Sequence, residues 1–338
     1  NSVCQAVAPA TGDGFIYAVT TNGIAVYFAS FVENSMTGPQ TTIYKIGMGG
    51  GQESRQQLST VFNGRVKYMA ATCDKVYFAI AKSVDGAGMT TAQPHIAYVP
   101  ENGVNVPPTD LAAADNVVAM AAERDLVTWV SNSTTAGEGG VKAYAGAGAN
   151  VETVYPLGSL PLTDVAIRDG YVYWSEAGLT AGGGNIFRAI IPTQGTNWQK
   201  TLVRANPGTP VSLAVDGKSV YWIDFHAGVL SDIRKAPKDM PMQADSRLAS
   251  FAALSLSDAP SSWLGVDDTT AYFVEDLGTG TGMGAVVAYG TNGGTKVAVI
   301  SNANSTISPN ITALTLDSRR VYAAATSTSM SSVIWVAK

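Results

Sequence analysis

Acidic side chains follow a tyrosine by three residues at three places in the second half of the 338-residue sequence. The acids are Glu176, Asp224 and Glu275 with its neighbour Asp276, and His226 comes two residues after Asp224. Carboxylate oxygens are ligands that suit Ca²⁺, and an imidazole beside a carboxylate suits general acid–base work. These five residues are therefore the candidate ligand-binding site.

The same residues are compatible with several kinds of site. A metal site would use Glu176, Asp224 and Asp276, with Ca²⁺ as the candidate cofactor, whereas the other readings need no cofactor. A catalytic site would use Asp224, His226 and Glu275. The acids can also bind a protein partner or a carbohydrate, or they can be solvated carboxylates at loop ends.

Aromatic residues and the second histidine complete the list of candidate groups. Trp198, Trp263 and Tyr155 can stack on sugar rings if they lie exposed in loops. His95 is interpreted as a partly exposed strand residue. The sequence contains no Cys/His cluster, phosphate-binding glycine loop or dinucleotide fingerprint.

The cysteines and the start of the sequence bear on the compartment. Cys4 and Cys73 either pair across a loop of about 70 residues or are free thiols. Asn-x-Ser/Thr sequons begin at Asn132, Asn304 and Asn310. Because residue 1 is Asn, we expect a trimmed chain, and low charge with many small polar residues favours a secreted, periplasmic or cell-surface location.

Composition excludes several classes of protein. Charged residues make up 14% and hydrophobic residues 46%, with a net charge of -5. The charged fraction is below the roughly 25% of an average domain. The chain is too apolar to be disordered, it lacks the positive charge of a nucleic-acid binder, and no apolar run is long enough for a transmembrane segment.

A repeat of 45 to 51 residues runs through the whole sequence and must position these side chains. Its anchor is the middle residue of a Val-Tyr-Phe, Val-Tyr-Trp or degenerate triplet. An apolar residue stands eight residues before each anchor, and a small residue stands seven before it. A polar turn residue stands five residues before each anchor. The anchors are Tyr27, Tyr77, Thr128, Tyr173, Tyr221, Tyr272 and Tyr322.

Each repeat contains four short predicted strands. One strand enters before the turn, the anchor strand follows, and the third strands are predicted at 42–46, 95–99, 141–144, 185–189, 229–233, 285–289 and 332–336. A weaker fourth strand follows, as at 200–203 and 296–300. Four antiparallel strands per 40 to 50 residues are typical of a propeller blade.

We therefore predict an all-β fold, a seven-bladed β-propeller that occupies residues 1–338 as a single domain. The last repeat lacks a fourth strand. Residues 2–8 precede the first strand and have no other partner, so we expect them to complete blade 7 and close the ring.

The stretch from Leu213 to Asp224 resembles the YWTD-type repeat of lipoprotein-receptor propellers, and it is equally similar to the Val-Asp…Val-Tyr-Trp repeats of secreted bacterial propellers. Residues 43–51 fit the third strand and glycine turn of the second group. The chain departs from the YWTD pattern because it has seven units and no Thr after Trp222. The resemblance implies the fold and no particular ligand.

The function that these observations favour is a secreted or cell-surface recognition or assembly module that binds protein or carbohydrate on its loop face without catalysis. The alternatives are an extracellular polysaccharide lyase or hydrolase that uses Asp224 and His226, and a structural subunit of an extracellular assembly.

Overall fold

The structure is a computed structural model that describes residues 5–7, 14–34, 36–47, 55–146, 149–178, 183–192, 197–205, 208–226, 230–240, 242–252, 263–276, 284–301, 310–326 and 331–338. Within these ranges every regular element is a β-strand. No helix in the described part is long and apolar enough to span a bilayer. The strands form seven antiparallel sheets of a seven-bladed β-propeller, as the repeat predicts.

The first three blades follow one another along the chain after β1 (Gln5–Val7), which belongs to the last blade. Blade 1 contains β2 (Phe15–Thr21), β3 (Ala25–Val32), β4 (Gln40–Gly47) and β5 (Arg55–Gln57), and β6 (Phe62–Asn63) also pairs with β4. Blade 2 contains β7 (Arg65–Ala71) and β8 (Lys75–Ala81), then an inserted hairpin of β9 (Ser83–Val84) and β10 (Thr90–Ala92), then β11 (His95–Pro100) and β12 (Thr109–Ala113). Blade 3 contains β13 (Val117–Glu123), β14 (Leu126–Ser131), β15 (Gly140–Tyr144) and β16 (Glu152–Pro156).

The other four blades have the same order of strands. Blade 4 contains β17 (Leu162–Arg168), β18 (Tyr171–Glu176), β19 (Asn185–Ile190) and β20 (Gln199–Ala205). Blade 5 contains β21 (Pro210–Val215), β22 (Ser219–Asp224), β23 (Ser231–Pro237) and β24 (Ser246–Phe251). Blade 6 contains β25 (Leu264–Val266), β26 (Thr270–Asp276), β27 (Gly284–Gly290) and β28 (Val297–Ile300), and blade 7 contains β29 (Asn310–Leu316), β30 (Arg320–Thr326), β31 (Ser331–Ala337) and β1.

The core consists of buried clusters between neighbouring blades, and each such contact is called a seam here. Tyr27 of blade 1 packs with Phe78 of blade 2, and Phe28 on the other side of the same strand packs with Tyr322 of blade 7. Both faces of each sheet are therefore buried, which is why the anchor strands are apolar throughout. At the crowded inner strands small residues are required: a Cβ on Gly265 would overlap the side chain of Leu316 in the next blade.

The ring closes as the sequence predicts. Strand β1 pairs antiparallel with β31, with Gln5 opposite Trp335 and Val7 opposite Val333. The innermost strand β2 also contacts β29 of blade 7. The exposed edge of the last sheet is thereby paired. Whether residues 1–338 behave as one domain in solution stays a prediction.

The polar residues between the first two strands form Asx turns, as expected from the sequence. The Asp216 carboxylate accepts hydrogen bonds from the backbone N–H groups of Lys218 and Ser219, both at 2.7 Å. Its other oxygen accepts the hydroxyl of the anchor Tyr221 at 2.7 Å. Asp317 makes the same contacts in blade 7. These acids are structural.

The predicted third strand at 229–233 is wrong in its bounds, because β23 spans Ser231–Pro237. Leu230 precedes the strand and is exposed. The apolar pair Val229 and Leu230 suggested an early start, whereas pairing with β22 fixes the actual range. The charged residues Arg234 and Lys235 lie inside the strand, and both side chains have partners: Arg234 donates to Asp245 just before β24 of the same blade, and Lys235 donates to the Thr291 carbonyl of blade 6.

Two faces of the ring follow from the strand directions. The turns between first and second strands, and the connections between third and fourth strands, lie on one face, called the lower face here. The connections between second and third strands, and those between blades, lie on the upper face. The innermost strands of blades 1–5 and 7 each contain a β-bulge near their upper end, and such bulges redirect side chains.

Candidate functional site

Asp224 lies at the upper end of β22, inside the seam between blades 4 and 5. Its Oδ1 accepts a hydrogen bond from the backbone N–H of Thr209 at 3.0 Å. The carboxylate is buried and rests against Gly208, which has a φ of 87°. A Cβ at Gly208 would overlap Asp224 Oδ1, so glycine is needed there for both conformation and space.

His226 and Arg234 both face the Asp224 carboxylate. His226 Nε2 lies 3.6 Å from Asp224 Oδ2, and Arg234 Nε lies 3.3 Å from the same oxygen. Burial raises the pKa of Asp224, while the Thr209 N–H and the charges of His226 and Arg234 oppose that shift. The structure thus brings together the predicted pair Asp224 and His226.

Arg234 connects Asp224 to a larger network that the sequence did not reveal. Its Nη1 lies 2.5 Å from Asp245 Oδ2, and Arg204 of blade 4 lies 2.5 Å from the other oxygen of Asp245. Asp232 accepts a hydrogen bond from Ser250 at 2.6 Å. Burial alone would raise the pKa of Asp245, but the hydrogen bond from Arg234 and the charge of Arg204 hold it below its usual value. The network links blades 4 and 5.

His226 is the most exposed side chain of this group, with 40% of its side chain accessible. Its backbone N–H donates to Ser231 Oγ at 3.1 Å, which fixes the start of the loop after β22. An imidazole close to a carboxylate is a residue pair that suits general acid–base work. The arrangement is thus a half-exposed Asp–His pair at the edge of an ion-pair network.

Glu176 lies in a different seam, between blades 3 and 4. It is buried, and its Oε2 accepts a hydrogen bond from Asn185 at 3.3 Å. Its Oε1 has no hydrogen-bond partner among the described residues. Burial and the adjacent Glu176 carboxylate raise the pKa of Tyr155. Glu176 and Asp224 are therefore not solvated loop-end carboxylates.

Glu275 lies in the seam between blades 5 and 6, where it pairs with a lysine. Lys296 Nζ lies 2.6 Å from Glu275 Oε1 and also donates to the Ser250 carbonyl at 3.4 Å. The side chain of Asp276 lies outside the described part. Among the described residues no group of three or more His, Cys, Asp or Glu side chains is arranged to hold a metal ion. The predicted set of Glu176, Asp224 and Asp276, with Ca²⁺, stays a prediction.

The remaining candidates have local roles where the structure describes them. His95 is half-buried, with Nε2 3.1 Å from Asp110 Oδ1. Trp263 is buried, so it does not meet the condition of exposure that stacking on a sugar ring requires. Trp198 donates to Glu152 Oε2 at 2.8 Å. Cys73 is exposed, whereas Cys4 and Asn304 lie outside the described residues.

Sequence reasoning missed an exposed apolar surface on the upper face of blades 1 and 2. We call this surface the ledge. The only signal for it in the sequence is the connection 82–94, the longest between a second and a third strand. The name covers six exposed apolar residues of the upper parts of β2 and β3 and of the connections after β3 and β8: Phe15, Tyr17, Val32, Met36, Val84 and Met89.

Contacts connect the two halves of the ledge. The rings of Phe15 and Tyr17 lie 5.7 and 5.2 Å from the ring of Phe31, which is buried beneath them. Arg65 belongs to blade 2, and its guanidinium stacks on the Phe31 ring of blade 1 across the seam between the two blades, at 5.1 Å. Gly38, in the connection that carries Met36, packs against the inserted hairpin: a Cβ there would lie 3.0 Å from the carbonyl of Val84.

Comparison with known proteins supports the fold alone. No protein-family model and no curated protein matches the chain. It is similar to a puromycin-hydrolyzing peptidase of Mycobacterium tuberculosis, with 12% identity and a TM-score of 0.64, over 99% of this chain and 54% of that one. The chain thus spans about half the length of that peptidase.

Two similar structures match along most of their own length. The β-propeller domain of the Trilobed protease from Pyrococcus furiosus has 11% identity and a TM-score of 0.60, over 97% of this chain and 94% of that one. That domain has an open velcro topology, whereas here β1 pairs with β31. YCF48 bound to a D1 peptide has 9% identity and a TM-score of 0.58, over 100% of this chain and 96% of that one. The class of protein is therefore a seven-bladed β-propeller.

Proposed function

We propose that the chain is a binding or assembly module without catalysis of its own, which takes a segment of another protein on its upper face. The ledge is the observation that carries this proposal. Phe15 and Tyr17 are 39% and 44% exposed, whereas the anchor aromatics of the strands are buried. Contiguous exposed apolar surfaces commonly mark sites of protein interaction.

Two further observations support this proposal. The similar structures include one that is bound to a peptide and others that belong to peptidases. Two of the acids predicted as a catalytic or metal site are already paired, Asp224 with Arg234 and the Thr209 N–H group and Glu275 with Lys296. A secreted, periplasmic or cell-surface location fits the low charged fraction of 14% and is part of the proposal.

The test is selection of binders from a phage library of random short peptides on the immobilised full chain. We expect enriched peptides whose affinity falls about tenfold or more in Phe15→Ala and Tyr17→Ala, since aromatic side chains dominate such interfaces. Val297→Ala, which truncates an exposed residue on the outer strand β28, is the matched control. No enrichment, or binding that none of the ledge variants changes, would contradict the proposal.

A second candidate function is supported by the Asp–His pair. A separation of 3.6 Å between His226 Nε2 and Asp224 Oδ2, with the raised pKa of Asp224, suits an extracellular polysaccharide lyase or hydrolase. This candidate predicts release of reducing or unsaturated ends from a polysaccharide panel, with loss of activity in His226→Gln. If a polysaccharide binds but is not cleaved, the pair of Asp224 and His226 is a recognition site and not a catalytic one.

A further inference from the structure

Bulges in neighbouring inner strands place Tyr17 and Lys67 at equivalent positions. The register shifts between Ile16 and Ala18 in β2 and between Val66 and Tyr68 in β7, and these two strands contact each other. Both bulged residues are exposed on the upper side of the ring. The lysine therefore borders the ledge.

The bulged residues of blades 4 and 7 have a different role. Thr163 donates its hydroxyl to the Pro210 carbonyl of the next blade at 2.6 Å, and Thr312 donates to the Ile16 carbonyl at 3.0 Å. Those side chains are used for contacts between blades. In blades 1 and 2 the same position instead presents a phenol and an ammonium group to solvent, where a ligand can reach them.

The charges around the ledge leave two lysines available. Lys67 and Lys82 are exposed, and neither has an ionic partner among the described residues. Two carboxylates lie nearby: Glu33 pairs with Arg65, and Asp85 keeps its charge while it accepts the backbone N–H groups of Ala87 and Met89 at 2.9 and 2.8 Å. Arg65, Lys67 and Lys82 outnumber Glu33 and Asp85, so this sector has a small excess of positive charge on a chain whose net charge is -5.

We propose that the ledge, with Lys67 and Lys82, binds an acidic segment of another protein in which carboxylates alternate with aromatic or aliphatic side chains. This inference rests on the proposed function and specifies its ligand. Apolar side chains of the segment cover Phe15 and Tyr17, and its carboxylates pair with the two ammonium groups. Complementary charge of this kind adds specificity and accelerates association.

Three labelled peptides test the inference by fluorescence polarisation on the full chain. The first alternates Asp or Glu with Phe or Leu, the second has Asn and Gln in place of the acids, and the third has Lys. We expect the acidic peptide to bind about tenfold more tightly than the amide peptide and the Lys peptide most weakly. Added salt is expected to reduce the difference in affinity between the acidic peptide and the amide peptide, because it screens the charges.

Charge reversals locate the effect. Lys67→Glu and Lys82→Glu are each expected to lower the affinity for the acidic peptide about three- to tenfold and to leave the affinity for the amide peptide unchanged. Lys218→Glu makes the same charge change on the lower face, where Lys218 is exposed, and serves as the control. Equal loss in all three variants would overturn the assignment of these lysines.

The two proposals fail in different ways. If the amide or Lys peptide binds as tightly as the acidic one, and Tyr17→Ala weakens it, the inference about charge is wrong while the ledge remains a binding surface. If none of the three peptides binds, the inference is wrong, and an empty phage selection then removes the proposed function as well.

Discussion

The side-chain amide of Asn132 in blade 3 forms two hydrogen bonds with the backbone of Leu162 in blade 4. Its Nδ2 donates to the Leu162 carbonyl at 2.8 Å, and its Oδ1 accepts the Leu162 N–H at 2.8 Å. The amide thus acts as one rung of a strand pair across the seam. No other side-chain type offers a donor and an acceptor in this geometry apart from the longer Gln.

Asn132→Ala is expected to lower the free energy of unfolding by about 1–3 kcal/mol, because both backbone groups of Leu162 lose their partner. Urea unfolding of the full chain measures the change. Asn292→Ala, in an exposed turn of blade 6, is the control and should change stability little. Similar stability of both variants would contradict a structural role for Asn132.

Gly208→Ala is expected to destabilise the fold by about 1–3 kcal/mol, because the position has a φ of 87° and its Cβ would displace Asp224. The nuclear magnetic resonance signals of the His226 ring should shift with it. Gly217→Ala, where a Cβ meets only Asp268 Oδ1 at 3.7 Å, is the matched control. An unchanged His226 ring in Gly208→Ala would show that the carboxylate does not depend on this glycine.

Asp164 predicts a loss of stability as pH rises. This carboxyl is fully buried in the seam between blades 4 and 5, and burial raises its pKa well above 3.8, although the N–H groups of Val165 and Leu213 oppose the shift. The native state therefore binds a proton that the unfolded state has released. Stability contributed by this proton is complete below the unfolded pKa and is lost as pH rises through the folded pKa.

Unfolding midpoints measured from about pH 2 upward test this expectation against a variant, Asp164→Asn, which should lack that part of the decline. Asp169→Asn provides a control of opposite sign, since the hydrogen bond from Lys238 lowers the pKa of Asp169. Its contribution is present above the unfolded pKa and disappears as pH falls. Parallel pH profiles of wild type and Asp164→Asn would refute the assignment to Asp164.

Proline substitutions test the closing strand. In an antiparallel edge strand only alternate residues point their N–H toward the partner. We therefore expect only one of Ala6→Pro and Val7→Pro to lower the free energy of unfolding, by about 1–3 kcal/mol for the lost pairing with β31. Calorimetry of the full chain measures the difference. If neither variant is affected, β1 does not contribute to closure.

The fold could be predicted because its main determinant repeats along the sequence. Tyr221 and the turn residue Asp216 recur at fixed spacing, and the hydrogen bond between them explains why both types are needed. The closeness of Asp224 and His226 was also predictable, since only Phe225 lies between them in the sequence. Such signals are local in sequence.

The rest depends on contacts that only the ring creates. Arg234 reaches Asp245 and Asp224 from a strand that its charge made hard to recognise, and Arg204 joins the network from the previous blade. The exposure of Tyr17 depends on a bulge, which is set by pairing with β3 rather than by residue type. Sequence spacing alone carries neither piece of information.

The pairing of Gln5–Val7 with β31 also has a mechanical consequence. A closed circle has no free end at which angular misfit can be released, so a bulkier side chain in one seam compresses the six others. Trp222 and Gly265 sit in different seams, yet the space available to one is tied to the size of the other. Pairs of compensating substitutions on opposite sides of the molecule are the expected trace of this constraint.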